Sequence, residues 1–89
     1  MATLFVRHKV KDFGSWKAAY DAFTKERETL GVTSHGVFQA TDDPNDVTVY
    51  HEFTDINTAK EFMGSARLKE VMQAAGVVGA PDVWYTNKK

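Results

Sequence analysis

Two changes in the spacing of apolar residues limit the folds that this chain can adopt. Residues 3 to 10 alternate between apolar and polar positions, which is typical of a half-buried strand. From residue 12 onward, the apolar residues follow one another at intervals of three, four, three and seven, which is the spacing of a helix face. These residues are Phe13, Trp16, Tyr20, Phe23 and Leu30. We therefore predict one long helix, with Asp12 as its N-cap and Gly31 as its end.

The second half of the chain repeats this change from strand to helix. Residues 32–40 and 46–53 are predicted strands of a β-hairpin, and the turn-forming residues TDDPND join them. Residues 54–76 have helical spacing, and Gly64 with the serine after it divides them into two pieces. The segment VVGAP is then predicted to form a loop, and residues 82–87 a last short strand.

The predicted order of elements is β-α-β-β-α-β, which is the order of the ferredoxin-like, split βαβ motif. We therefore predict an α+β protein with one domain over residues 1–89, in which an antiparallel sheet carries both helices on one face. A chain of 89 residues is near the lower size limit for a self-sufficient core, so burial of surface in an oligomer would add stability.

Composition and motifs exclude several classes of function. The chain has no cysteine, which rules out disulfides, thiolate nucleophiles and cysteine–zinc sites. Its net charge is −1 and its Lys and Arg residues are spread out, so no basic face for nucleic acid is expected. We find no signal peptide, no apolar run of about 18 residues for a membrane span, no G-x-S-x-G turn and no Gly-rich phosphate loop. We expect a cytoplasmic protein that contacts neither nucleic acid nor membrane.

The alternation within the strands assigns side chains to two faces of the sheet. The face toward the helices would carry Leu4, Val6, His8, Val10, Val47, Val49, His51 and Phe53. The large apolar residues of the opposite face would be Phe5, Val37, Tyr50 and Trp84. A monomer seldom exposes so much apolar surface, so we predict a homodimer that packs sheet against sheet, with Arg7 and Glu52 paired across neighbouring strands. The alternative is a partly exposed sheet with scattered aromatic residues.

Three histidines are the main candidates for chemistry. His8 and His51 are predicted on the helix-facing side of neighbouring strands, where the two imidazoles would lie close together. There they could act as general bases near pH 7, or they could be core residues that hydrogen-bond to a carbonyl or hydroxyl. His35 is predicted at the opposite face or the sheet edge, as a surface or interface residue. The three lack the close spacing of histidine metal ligands, so no metal site is predicted.

Large side chains at other positions are candidates for substrate binding as well as for the core. They are Trp16, Tyr20, Phe62, Met72 and Tyr85. The hydroxyl groups of the two tyrosines could orient a substrate oxygen. Arg27 lies in the apolar stripe of the first helix, between Phe23 and Leu30. We expect it to extend to solvent at the helix end, and contact with an anionic ligand is the alternative.

Four segments together carry a family resemblance: FVRHKVKDFGSWKAAYDAF, ATDDPNDV, EFTDINTAKEFMGSARLKEVMQAAGV and PDVWYT. They resemble the antibiotic-biosynthesis-monooxygenase-like proteins of the dimeric α+β barrel superfamily, over essentially the whole chain. The resemblance implies that fold, a homodimer, and a ligand pocket between the helices and the sheet of each protomer. Related proteins include cofactor-independent quinone-forming monooxygenases, haem-degrading monooxygenases and lactone isomerases.

The resemblance to the haem-degrading members is incomplete at three positions. Those members carry an Asn on the first strand, a Trp on the second long helix and an iron-ligating His one helical piece later. This chain has His8, Phe62 and Met72 at the corresponding positions. Without a histidine at position 72 the iron would lack its proximal ligand, so haem degradation is not expected.

The resemblance implies a cofactor-independent monooxygenase or cyclase-like enzyme that acts on a small aromatic or polyketide-like ligand. His8 would accept a proton, and His51 or Tyr20 would position the substrate, so that a deprotonated phenol reacts directly with dioxygen. Two alternatives stay open. One is a non-catalytic ligand-binding or stress-related dimer with the same pocket, and the other is a structural barrel whose histidines are core residues.

Overall fold

Strand alternation and helix capping produce four strands and four short helices, which a computed structural model describes over residues 1–89. In chain order they are β1 (Ala2–Val10), α1 (Phe13–Ala22), α2 (Thr24–Thr29), β2 (Ser34–Ala40), β3 (Asp43–Phe53), α3 (Ile56–Met63), α4 (Ala66–Ala74) and β4 (Val77–Asn87). Helix α1 begins at the predicted cap, because the Asp12 carboxylate accepts the N–H of Ser15 at 2.9 Å. Asp55 begins α3 in the same way, by accepting the N–H of Thr58 at 2.8 Å.

The four strands form one antiparallel sheet in the order β2-β3-β1-β4. The eight residues predicted to face the helices on β1 and β3 are all buried, and Leu4, Val47 and Phe53 are buried completely. The six apolar ones form one core with residues of α1, α3 and α4, such as Trp16 and Phe62. The predicted α+β class and ferredoxin-like order of elements are therefore confirmed.

The first helix is interrupted, where the sequence predicted one continuous helix. The chain leaves the α-helix at Phe23, whose N–H donates to the carbonyl of Tyr20, three residues back, at 3.2 Å. The hydroxyl of Thr24 donates to the carbonyl of Asp21 at 2.7 Å, which gives that carbonyl a partner outside the helical ladder. Helix α2 then starts at Thr24 and ends near Gly31, which has a φ of 98°. The second predicted break, at Gly64, is present between α3 and α4.

Strand β4 is longer than predicted, because VVGAP is part of the strand and not a loop. Val77 and Val78 pair with Val10 and Lys9 of β1, and the ladder resumes where Asp82 faces Arg7. Residues 79–81 bulge out between these two stretches. Pro81 has no N–H to donate, and in a bulge no ladder hydrogen bond is lost.

The hairpin turn is shorter than predicted. Strand β3 already begins at Asp43, which pairs with Ala40, so the turn is confined to residues 41 and 42. The Asp43 carboxylate accepts the N–H of Asn45 at 3.0 Å beside a register shift, which accommodates Pro44 at the start of the strand.

The face of the sheet away from the helices, called the open face below, is apolar as predicted. One of its apolar residues is not the one that the sequence predicted. Val37 pairs with Val49 and therefore points toward the helices, so its predicted side was wrong by one register position. Phe38 takes its place, with its ring centroid 6.2 Å from that of Tyr50. Gly36 permits this packing, since a Cβ there would come within 2.5 Å of the Tyr50 ring.

The ion pair predicted on the open face has a different partner. Arg7 donates from two nitrogens to the two carboxylate oxygens of Asp46, at 3.0 and 2.6 Å, and not to Glu52. The register explains this difference, because Arg7 lies opposite Thr48, two residues from Asp46 and four from Glu52.

Candidate functional site

A small cavity of about 60 Å³ lies between the helices and the sheet. Val6 and Val49, which are directly paired on β1 and β3, form its floor. Its other apolar walls come from helices on both sides, among them Trp16 of α1 and Phe62 of α3. Pockets for drug-sized ligands measure about 300–1,000 Å³, so a polycyclic ligand would require the walls to move. The thioethers of Met63 and Met72 line the cavity and are the wall groups that adapt most easily.

His51 is buried in this cavity without a hydrogen-bond partner. It is 5% exposed, and neither ring nitrogen has a partner. The rings of Phe62 and Tyr20 lie around it, with centroids at 5.1 and 6.2 Å. Burial, with smaller contributions from the charges of Arg27 and His35, lowers the pKa of His51 from 6.5 to about 3. The imidazole is therefore neutral at pH 7, with one nitrogen free to accept and the other free to donate.

His8 is the second buried histidine without a partner. It is 7% exposed, neither nitrogen is hydrogen-bonded, and its ring meets the edge of Trp16 with centroids 5.5 Å apart. Burial lowers the pKa of His8. Buried polar groups in proteins are nearly always hydrogen-bonded, so two such imidazoles in one cavity are unusual for an ordinary core.

The two histidines lie at opposite ends of the cavity and not side by side as predicted. His8 is opposite Val47, whereas His51 is opposite Leu4, so four residue positions separate them along the sheet. This spacing corresponds to about 13 Å along the strands. Trp16 and Tyr20 bridge the gap as a stacked pair with ring centroids 5.0 Å apart.

Tyr20 links the cavity to the surface through His35. Its hydroxyl and the Nδ1 of His35 are hydrogen-bonded at 2.6 Å. The predicted orientation of His35 was wrong, because it pairs with His51 and shares the helix-facing side of the sheet. It does lie on an edge strand and is exposed, as predicted. Burial raises the pKa of Tyr20 and lowers that of His35, so both are neutral near pH 7.

Arg27 is the charged group of the cavity, which contradicts the expectation that it extends to solvent. It is only 2% exposed, and its guanidinium carbon lies 3.7 Å from the centroid of the Tyr20 ring. One nitrogen donates to the Thr24 hydroxyl at 3.0 Å, whereas Nε has no partner. Burial lowers the pKa of Arg27, but a guanidinium keeps its proton under all ordinary conditions. Arg27 lies on α2, the helix that follows the break at Phe23.

The structure brings most of the predicted substrate-binding residues together. Trp16, Tyr20, Phe62 and Met72 line the cavity, together with His8 and His51. Tyr85 does not line it, since this residue lies on the edge strand β4 and is 43% exposed. The sequence analysis named Met72 but missed three other lining residues of this region: Leu68 and Val71 of α4, and Ala75 directly after it. Together with Met72 they have the spacing of a helix face, which was the signal that could have identified them.

No group of three or more His, Cys, Asp or Glu side chains is close enough to hold a metal ion. None of the helices is long and apolar enough to cross a membrane. No protein-family model and no curated protein matches the sequence.

Solved structures do match along the entire chain. One is an antibiotic biosynthesis monooxygenase, with a TM-score of 0.77 at 11% identity, covering 100% of this chain and 99% of the other. The chain has the fold of these monooxygenases. SnoaB from Streptomyces nogalater, a cofactor-independent oxygenase, is similar with a TM-score of 0.76 at 12% identity, covering 99% and 94%. A conserved protein from Methanosarcina mazei Go1 has a TM-score of 0.75 at 19% identity, covering 99% and 92%. At these identities the likeness concerns the fold.

Proposed function

We propose that the protein is a cofactor-independent monooxygenase that oxidises a small aromatic or polyketide-like compound in the cavity between helices and sheet. The observation that supports this most directly is the pair of buried imidazoles, His8 and His51, whose four ring nitrogens all lack partners. In an apolar cavity, such groups are available to bind and deprotonate a hydroxylated ligand. The fold shared with SnoaB, named as a cofactor-independent oxygenase, is consistent with this chemistry.

His8 is the better proton acceptor of the two. A pKa of about 3 makes His51 a weak base, which suits it to hold a substrate oxygen by hydrogen bonding. The pKa of His8 is lowered by burial alone, without a neighbouring cation that opposes its protonation. His8 therefore accepts the phenolic proton, and the phenolate formed is electron-rich enough to reduce dioxygen directly. The oxidised position is a ring carbon that carries two hydrogens in the keto form of the substrate. One atom of dioxygen becomes the carbonyl oxygen at this carbon, and the other leaves as water with the two hydrogens. No external reductant is needed.

The test is oxygen consumption with a panel of hydroxylated polycyclic phenols in metal-free buffer. Replacement of the general base, in the variant His8→Ala, should lower kcat by about 10²–10⁴-fold. Added imidazole should restore part of the rate, which a purely structural defect would not permit. Lys9→Ala is the matched control, because Lys9 is the next residue of β1 and is exposed. Unchanged turnover in His8→Ala would remove this residue from the mechanism. Ligand binding without oxygen consumption would favour the alternative, a non-catalytic or stress-related binding protein.

We also propose that two copies pair through the open face of the sheet. Phe38 and Trp84 on this face are 59% and 48% exposed, and Phe5 and Tyr50 lie between them. Burial of these side chains against a second copy would remove an apolar patch that is unusual on a monomer. Light scattering after gel filtration should show a dimer that Trp84→Glu dissociates. Tyr85→Glu is the control, because Tyr85 is the next residue but points to the other face of the sheet, and this variant should remain a dimer. A monomeric wild type would refute the proposal.

A further inference from the structure

Arg27 carries a buried positive charge for which the protein supplies no counter-charge. Every ion pair within 4.0 Å involves other cations. Of the acidic groups near Arg27 along the chain, Asp21 accepts from Lys17 at 2.7 Å and Glu26 accepts from Arg67 at 3.0 Å. Glu28, the next residue, is exposed and forms no ion pair with Arg27. Isolated charges are seldom buried to this extent, because the loss of hydration is costly unless a partner compensates it.

The orientation of the guanidinium leaves its hydrogen-bonding edge available. Its guanidinium carbon lies 3.7 Å from the centroid of the Tyr20 ring, a distance at which the planar group stacks on the ring and directs its N–H groups away from the ring face. Of the five N–H donors, one is used by Thr24, and Nε, which lies below the surface, has no acceptor. Arg27 lines the same cavity as His51, and its charge opposes the protonation of that histidine.

Building on the proposed function, we propose that the ligand of this cavity carries an oxyanion on a flat aromatic ring, and that Arg27 is its counter-ion. The ionised oxygen would lie between the free edge of Arg27 and the neutral ring of His51, with the ring of the ligand against Trp16 and Phe62. An ionised phenol or a carboxylate supplies this chemistry equally well. A neutral aromatic compound would leave the charge of Arg27 uncompensated in an apolar cavity, so the site discriminates against it.

The experiment compares the binding of three single-ring probes of similar shape, chosen because the cavity is small. They are 4-nitrophenol above its own pKa, 4-nitrobenzoate, and the neutral 4-nitroanisole. We expect the phenolate, the carboxylate or both to bind at least tenfold more tightly than 4-nitroanisole. If only one of them does, it identifies the kind of oxyanion that the site takes. If the site binds the phenolate form of 4-nitrophenol tenfold more tightly than its neutral form, the apparent pKa of the bound probe falls by about one pH unit. The absorption band of the phenolate reports this change directly.

Substitution at Arg27 separates its charge from its shape. Arg27→Met should abolish the preference for anions, and Arg27→Lys should keep part of it, with circular dichroism to show that both variants are folded. Arg67→Met is the matched control, since Arg67 is an exposed arginine that pairs with Glu26 outside the cavity. Equal binding of the three probes to the wild type, binding of none of them, or an unchanged preference in Arg27→Met would each overturn the proposal.

This measurement does not depend on turnover, so the two proposals can fail separately. A preference for anions that Arg27→Met abolishes, together with no oxygen consumption, would support the oxyanion site and reject the oxygenase. Oxygen consumption that persists in Arg27→Met with unchanged KM would reject the oxyanion site and leave the oxygenase intact.

Discussion

Acidification should destabilise the protein between pH 7 and pH 5 because His51 is buried in its neutral form. The pKa of His51 is lowered to about 3 in the folded chain, whereas in the unfolded chain it returns to 6.5. Above pH 6.5 neither state is protonated, and the full stability is present. As the pH falls below 6.5, only the unfolded state binds the proton, so the free energy of unfolding decreases until the pH reaches about 3.

The size of this effect follows from the two pKa values. Each pH unit below 6.5 costs about 1.4 kcal/mol, so acidification from pH 7 to pH 5 lowers the free energy of unfolding by about 2 kcal/mol through His51 alone. His8 acts in the same direction, because its pKa is also lowered. The carboxylates with lowered pKa values, such as Asp12 and Asp55, lose their stabilising effect only near and below their unfolded pKa of 3.8 and thus outside this range.

Urea unfolding at fixed protein concentration, at pH 7 and pH 5, measures this loss in the wild type and in His51→Leu. Leucine removes the titrating group, and no hydrogen bond is lost because neither nitrogen of His51 has a partner. We expect the loss between the two pH values to be about 2 kcal/mol smaller in the variant than in the wild type. Lys9→Ala, at an exposed position of the same sheet, is the control. Equal losses in the wild type and His51→Leu would refute the conclusion that His51 is buried and uncharged.

Three further predictions concern stability at neutral pH. Gly36→Ala should lower the free energy of unfolding by about 1–3 kcal/mol because its Cβ meets Tyr50, whereas Gly64→Ala, with only an ordinary contact at 3.4 Å, should change it little in the same urea titration. Asp55→Ala should cost about 1 kcal/mol through loss of the α3 cap, measured by thermal unfolding. Arg27→Met should leave the Tm of the ligand-free protein unchanged or raise it, because an unpaired buried charge is removed; a marked decrease would show that Arg27 stabilises the fold.

Local signals predicted those parts of the fold that depend on residues close in sequence. The caps at Asp12 and Asp55 and the buried faces of β1 and β3 follow from side-chain chemistry and alternation within a few residues. The side assigned to Val37 was wrong because Gly36 weakens the alternation of β2, and only its pairing with β3 determines its register. The strand in VVGAP was missed because its pairing with β1 depends on a bulge, and the local sequence pattern does not predict that bulge.

The candidate site was predictable in its membership but not in its geometry. His8 and His51 were assigned to the correct face, yet their separation along the sheet depends on the register between β1 and β3. The burial of Arg27 depends on where α2 lies after the break at Phe23, and the spacing of the apolar residues predicted no break. At this break the Thr24 hydroxyl donates to the Asp21 carbonyl, a hydrogen bond that the spacing of apolar residues does not reveal.

Three side chains that water would normally solvate surround one cavity with unpaired polar atoms: both ring nitrogens of His8 and of His51, and Nε of Arg27. A core shaped only for stability would gain from apolar side chains at these positions, since unpaired buried polar groups each cost about 1–3 kcal/mol. A ligand that accepts from Arg27 and shares a proton with His51 would compensate the costs of these two groups, whereas a neutral apolar ligand would compensate neither. The unpaired polar atoms therefore support the proposal of an oxyanion ligand, and this support comes from their burial independently of the shared fold.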